Sequence, residues 1–261
     1  LIRGKRHFSG FEQDVDALMR GDLTEEQTRE RARRIDPVGH GRYRLYAVNP
    51  KERVVSLDDR LYALMETDAD AARRCTFIEW RRMMLALCRE EDGLTAEEAR
   101  ARFGDMLTRA GIDAQAVVIG QSDLREARAQ LGTSMCEAVY AARAAKLCGK
   151  AALGARELGL YAYLFPMSEN PFVCDRCRRV LSAIREYDAQ NHTNLEQTAL
   201  VYVKENMEIA AAAKALFQHP NTVRYRLSKI QRIMGMEDDP LFAPMLSLTV
   251  SLSRILTEEQ V

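Results

Sequence analysis

Pro220 divides a stretch that otherwise reads as one continuous helix. From Ile209 to Met236 the chain runs IAAAAKALFQHPNTVRYRLSKIQRIMGM. A proline inside a helix clashes with the preceding turn, but at the first helical position its missing N–H costs nothing. The stretch must therefore fold as two helices. The first ends near Phe217, and the second covers Asn221–Met234 behind His219 as N-cap. The joint is of roughly three to four residues, the span of a helix-turn-helix. Ile209, Ala213 and Leu216 mark the inner face of the first helix, and Val223, Leu227, Ile230 and Met234 form an apolar stripe on the second. Ala213 and Val223 are the small and β-branched contacts that let the two cross closely. No glycine stands in the turn, so Phe217 or Gln218 must supply the bend.

The same window holds Lys214, Arg224, Arg226, Lys229 and Arg232 and no acid, although 38 acids in 261 residues would place about four there. An acid-free basic face opposite a buried stripe suits a polyanion, and the helix pair makes that polyanion duplex DNA. Asn221, Thr222, Tyr225 and Arg226 face outward near the N-terminus of the second helix. Asn221 and Arg226 can pair with base edges. Thr222 and Tyr225 offer hydroxyls to phosphates, and Arg224, Lys229 and Arg232 anchor the backbone. The plainer alternative is a solvated basic helix in an ordinary bundle. Stripe, turn, acid depletion and polar tip together argue against it.

The run NMEIAAAAKALFQHPNTVRYRLSKIQRIMG resembles the C-terminal DNA-binding domain of PucR/CdaR-type bacterial transcriptional regulators. His219, Asn221, Thr222, Val223, Tyr225, Arg226, Leu227, Ile230 and Gly235 fit that family's recurring pattern. Ala210 and Ala212 stand where the family often has a hydroxyl residue, and Pro220 where it often has Arg. These departures predict weaker DNA binding than a typical member, not a different fold. The segment VVIGQSDLREARAQLGTSMCEAVYAARAAKLCG, followed by ALGARELGLYAYLF, resembles the central, diverged GGDEF-like domain of the same regulators. The resemblance spans roughly residues 7–256, loosely before the C-terminal part. In active diguanylate cyclases glycines and carboxylates of a hairpin turn hold nucleotide and metal. Here that turn reads Glu79-Trp80-Arg81-Arg82, so no catalytic residue, cofactor or metal is expected.

Thr193 and Glu196 form a candidate capping box opening a helix with Leu195, Ala199, Tyr202 and Val203 on one face. Asp239 and Pro240 suit the N-cap and first position of a last helix. Phe242, Met245, Thr249, Leu252 and Leu256 line its inner side, widened by Leu241, Leu248 and Ile255. So broad a stripe packs either on its own domain or on a second chain, and packing at home is the simpler expectation.

In the larger N-terminal part, Phe11–Arg34 reads as a helical pair broken near Gly21-Asp22, with a capping pattern from Thr24 to Gln27. Arg42–Val48 alternates as a strand should, and Cys75–Trp80 with Met83–Cys88 form a hairpin around Arg81-Arg82. Thr95–Ala110 is an amphipathic helix with Ala99, Phe103, Met106 and Leu107 inward. Ala116–Gly120 is a short strand and Ser134–Cys148 an Ala-rich helix. The fold class is α+β: a GGDEF-like α/β domain followed by an all-α helix-turn-helix domain. The expected division is 1–40 helical segment, 41–165 GGDEF-like domain, 166–192 helical linker and 193–261 DNA-binding domain.

A hydrophobic fraction of 47% with 29% charged residues is that of an ordinary globular chain, and the zero net charge makes the basic face a local feature. No apolar run approaches a membrane span and no signal-peptide pattern opens the chain, so a cytoplasmic location is expected. The chain starts at Leu1 rather than Met, which suggests a piece of a longer protein with an N-terminal region ahead of it. The six cysteines suit reduced thiols. Cys174 and Cys177 make a lone CxxC without the further ligands of a zinc site, and Cys177 shares a helical register with Leu181 and Ile184, as core thiols do. His7, His40 and His192 are isolated.

These readings converge on a sequence-specific regulator of operator DNA, of a catabolic or polyketide synthase gene cluster. One such helix reads few base pairs, so a homodimer is expected. The resemblance also implies a small-molecule effector acting through the missing N-terminal region. The alternatives are a nucleotide-processing enzyme on the GGDEF-like scaffold, or a protein-interaction module that has lost DNA binding.

Overall fold

A computed structural model describes residues 11–258 apart from 38, 40 and 53–56; His7 and His40, and the first ten residues of the expected helical segment, lie outside the described residues. The chain divides into two compact units, Leu1–Ala162 and Tyr163–Val261.

The first unit opens with α1 (Glu12–Arg20) and α2 (Glu25–Ile35), separated by Gly21 in the left-handed region at φ 70°. The capping box expected at α2 is present, with the Thr24 side chain on the Gln27 N–H and the Gln27 side chain on the Thr24 N–H. There follow β1 (Tyr43–Pro50), α3 (Leu57–Thr67), α4 (Ala69–Arg74), β2 (Cys75–Trp80), β3 (Met83–Arg89), α5 (Ala96–Arg109), β4 (Val117–Gln121), α6 (Leu131–Leu147) and β5 (Ala152–Gly154). They build one five-stranded sheet in the order β2-β3-β1-β4-β5. β1 runs antiparallel to both β3 and β4, pairing Tyr46 with Ala86 and Val48 with Ile119, and β4 runs parallel to β5. The first four strands with their helices follow the β-α-β-β-α-β order of a ferredoxin-like unit. A parallel pair needs a crossover, and α6 supplies it.

One sheet face carries Tyr46, Val48, Phe77, Met84 and Ala86 under Leu57, Leu61 and Leu64 of α3 and Phe103, Met106 and Leu107 of α5. The other face meets α6, which packs on β1, β4 and β5. At Gly120 the contact is of backbone on backbone: an added Cβ would lie 1.9 Å from the Ala138 carbonyl oxygen and 2.3 Å from the Ala142 nitrogen. Gly132 of α6 lies equally close to α1, where a Cβ would come within 2.2 Å of the Leu18 carbonyl oxygen. β1 is therefore covered on both faces and buried from Tyr43 to Asn49, rather than alternating in burial as its sequence suggests. Sequence reasoning assigns no element to 57–74, where α3 and α4 stand, with the Asp68 carboxylate accepting the Asp70 and Ala71 N–H groups at the start of α4.

The cysteine expectation needs correction. Cys75 and Cys88 face each other across β2 and β3 and their sulfurs are bonded. Spacing along the chain gave no hint of this, because only strand register brings the two together.

After α7 (Tyr161–Ser168), the second unit consists of α8 (Pro171–Asn191), α9 (Leu195–Lys204), α10 (Ile209–Ala215), α11 (Pro220–Met234) and α12 (Phe242–Glu258). α8 contacts α9, α11 and α12. α12 packs at home, on α8 and α9. Its buried residues are Phe242, Leu246, Thr249, Val250, Leu252 and Ile255, a stripe turned slightly from the expected one, and Leu241 is exposed. Cys174 and Cys177 are buried, with their thiols directed at the Ser168 and Thr249 carbonyl oxygens, as core residues. No helix among the described residues is long and apolar enough to cross a membrane.

Candidate nucleic-acid interface

α11 begins where Pro220 requires. His219 is the N-cap, its Nδ1 accepting the Asn221 N–H at 3.2 Å, and Pro220 is the first helical residue. Gly235 ends the helix at φ 65°. In the turn before it, Phe217 takes φ 54° and so supplies the bend, while its side chain is 93% exposed. Val223, Leu227, Ile230 and Met234 are buried against the neighbouring helices, and α11 touches α8, α9 and α10. Ala212 and Ala213 are fully buried where α10 crosses it. α10 itself opens behind Glu208 with no side-chain cap.

With that stripe inward, Asn221, Arg224, Tyr225, Ser228 and Arg232 are exposed, and Thr222, Arg226 and Lys229 are half-buried. Arg224 Nη1 donates to Asn221 Oδ1 at 2.9 Å, which pre-positions the amide and guanidinium as a pair at the helix tip. Lys229 Nζ lies 5.4 Å from the Tyr225 ring centroid, a cation–π contact. Arg232 Nε pairs with Glu237 at 2.8 Å, but both side chains are 61% exposed, so a phosphate can displace that partner at little cost.

Arg226 is turned the other way. Its Nη1 donates to the Thr198 hydroxyl of α9 at 3.2 Å, and its charge also acts on Asp188 of α8. Asp188 in turn does the capping expected of Thr193 and Glu196. The N-cap Asn194 makes no side-chain bond; instead Asp188 accepts the Leu195 N–H at 2.7 Å, the Glu196 N–H at 3.0 Å and the Thr193 hydroxyl at 2.6 Å. Burial pushes the Asp188 carboxyl up, but these donors and Arg226 outweigh it and hold it below the ordinary 3.8. Arg185 of α8 adds a second tie to α9 through Glu196, at 2.8 Å.

Of the residues singled out in sequence, Asn221, Arg224, Tyr225 and Arg232 thus share the open face, Thr222 and Lys229 flank it, and Arg226 sits at its inner edge. Ser228 escaped attention although 221, 225, 228 and 232 follow helical spacing, a signal present in the sequence. Phe217 is a further exposed residue that its apolar type conceals in the sequence.

The other candidate chemistry lies in the β2–β3 hairpin. Its turn is engaged by α1: Trp80 Nε1 donates to Asp16 at 2.9 Å and the Arg81 N–H to Glu12 at 3.1 Å. Among the described residues no group of three or more His, Cys, Asp and Glu could hold a metal ion.

Residues 195–248 match the PucR C-terminal helix-turn-helix domain. The DNA-binding transcriptional activator AdeR of Bacillus subtilis (strain 168) is 31% identical over 81 residues, which are 31% of this chain and 19% of AdeR. The proline-responsive transcriptional activator PutR of the same organism is 28% identical over 111 residues, 41% of this chain and 27% of PutR. The match thus spans only 19% and 27% of the lengths of these relatives. A regulator of polyketide synthase expression from Bifidobacterium adolescentis, known from its crystal structure, aligns over 93% of this chain and 98% of its own with 18% identity and a TM-score of 0.37, too slight a likeness to support an argument.

Proposed function

We propose that this chain is a sequence-specific transcriptional regulator that binds double-stranded operator DNA by laying α11 in the major groove. One observation carries the reading: the side of α11 opposite its buried stripe is open and basic, and α11 itself holds no acid, over a segment that matches a helix-turn-helix family. In this reading Asn221 and Arg224 form the base-reading pair, since bidentate amide and guanidinium groups are what base edges in the major groove recognise. Thr222, Tyr225, Lys229 and Arg232 contact phosphates, and the helix N-terminus adds its positive end. Arg226 positions α11 on α9 rather than touching a base.

One copy of α11 covers only a few base pairs, so the functional unit is a homodimer on two half-sites. The first unit is a diverged GGDEF-like domain that serves assembly or signal relay. The likeness of Val117–Gly149 to that domain supports this, and a hairpin turn whose Arg81 is bound by Glu12 and Asp16 disfavours cyclase chemistry. A proline-responsive activator among its relatives favours a target whose expression answers to a small metabolite.

The test is fluorescence anisotropy with a duplex selected from random sequence, run over a salt series. Binding should weaken with a log–log slope of about −0.9 per phosphate neutralised. Salt-insensitive binding, or equal affinity for selected and scrambled duplexes, overturns the proposal.

A further inference from the structure

The Cys75–Cys88 disulfide joins β2 to β3 at the end of the hairpin remote from the Arg81-Arg82 turn. The two strands stay paired without it, because the antiparallel ladder runs in register from Cys75 and Cys88 to Trp80 and Met83. What the bond adds is a tie on α4. Cys75 is the C-cap of that helix, its N–H donating to the Ala71 carbonyl oxygen, so the sulfur bridge fastens the end of α4 to the end of β3.

The bond also faces an opening. Side chains two apart on a strand share a face, so Cys75 lies with Phe77, and Cys88 with Ala86 and Met84, on the sheet face that α5 covers. Over that face, between α4, the end of β3 and α5, lies a cavity of about 470 Å³. Cys75 and Cys88 line it together with Ala71 of α4 and Phe103 and Met106 of α5, and all five belong to one apolar cluster. The two cysteines keep 6% and 7% of their surface exposed. A cavity of this size admits a metabolite-sized molecule, and so a small organic thiol. Cys136, Cys148, Cys174 and Cys177 are free thiols, so this is the one bond among the described cysteines that such a molecule can exchange with.

We propose that the Cys75–Cys88 disulfide is a thiol–disulfide exchange site of the folded protein, attacked from the cavity by a low-molecular-weight thiol, and that its opening releases the end of α4 from β3. A thiolate RS⁻ bonds to one Sγ as the bond between the cysteines breaks, and the other Sγ leaves as a thiolate that takes a proton from water. A second RS⁻ attacks the R-bearing sulfur of the mixed disulfide, giving RSSR and the second protein thiol. Two small thiols are oxidised for the one protein disulfide reduced, and RSSR drives the reverse. The proposal is independent of DNA recognition, because the site lies wholly within the first unit and its test uses no DNA.

The test treats the whole chain, purified without reductant, with reduced glutathione, then quenches with acid, alkylates and maps the cysteines by mass spectrometry. Label should appear at Cys75 and Cys88 through a glutathione adduct on one of them, oxidised glutathione should restore the bond, and far-UV circular dichroism should not change. The rate should vary by less than about twofold over urea concentrations below the unfolding transition, since attack needs no unfolding. Hydrogen exchange should quicken in α4 after reduction and stay unchanged in β1 and β4. Leu94→Trp, which narrows the cavity from a half-buried loop position, should slow the reaction about tenfold or more. The urea series uses the wild type and carries the test if that variant misfolds. Unbonded Cys75 and Cys88 in the oxidised protein, reduction that accelerates steeply with urea, an unaltered rate in a folded Leu94→Trp, or unchanged exchange in α4 would overturn the assignment.

Discussion

Arg226 of α11 donates to the Thr198 hydroxyl of α9 across 3.2 Å, so a residue whose type and position suggest a base contact is engaged inside its own unit. Thr198 is fully buried and itself donates to the Asn194 carbonyl oxygen at 2.7 Å. The bond fixes the roll of α11 relative to α9, and with it the direction in which Asn221 and Arg224 point.

Arg226→Ala should therefore cost stability, about 1–2 kcal/mol for a charged hydrogen bond in a half-buried place. Its DNA affinity should fall alike on selected and random duplexes. Arg224→Ala, at an exposed position, should leave urea unfolding unchanged and lose about 1–3 kcal/mol of discrimination between them. The opposite pattern would return Arg226 to the base-reading role.

Asp188→Asn should destabilise the second unit by about 1 kcal/mol at neutral pH, the usual worth of a helix cap. The wild-type carboxyl is held below 3.8 in the folded state, so its contribution is complete above that value and disappears as pH falls through the lower folded value. Unfolding measured between about pH 6 and pH 2 should show the gap between wild type and variant closing on the acid side. A gap independent of pH would mean that the ionised form of Asp188 is not what stabilises α9.

Gly120→Ala should be poorly tolerated, because its Cβ would meet the Ala138 and Ala142 backbone at 1.9 and 2.3 Å. Overpacking of this kind costs about 1–3 kcal/mol or more, since a helix backbone cannot move aside as a flexible side chain can. Gly104→Ala, with nothing within 4 Å of the added atom and a position inside α5, is the control and should be neutral or stabilising. Denaturant midpoints of the pair decide it.

Phe217→Gly should raise stability by about 1 kcal/mol, because a left-handed backbone at φ 54° disfavours residues with a Cβ and the ring buries almost nothing. If DNA affinity falls while the melting temperature rises, the exposed ring contributes to the interface; unchanged affinity would make it a bystander.

Lys229→Ala should weaken all duplexes about equally and reduce the salt slope by about one. A slope identical to wild type would remove Lys229 from the phosphate contacts.

The sequence by itself determined the local architecture around Pro220. A proline, an N-cap histidine, an apolar stripe and a terminal glycine each act over one or two helical turns, and His219, Val223, Leu227 and Gly235 all stand where that local chemistry requires. The same holds for the Thr24–Gln27 box and for the hairpin around Arg81. Tertiary structure alone decided the rest, because the forces involved join residues distant in sequence. Asp188 caps a helix it does not belong to, and Cys75 meets Cys88 only through strand register. An Ala-rich α6 with little apolar stripe of its own lies on the sheet because Gly120 lets two backbones touch. Arg226 faces Thr198 rather than solvent because a long, flexible side chain goes where a buried acceptor stands, and helical spacing alone cannot locate that acceptor.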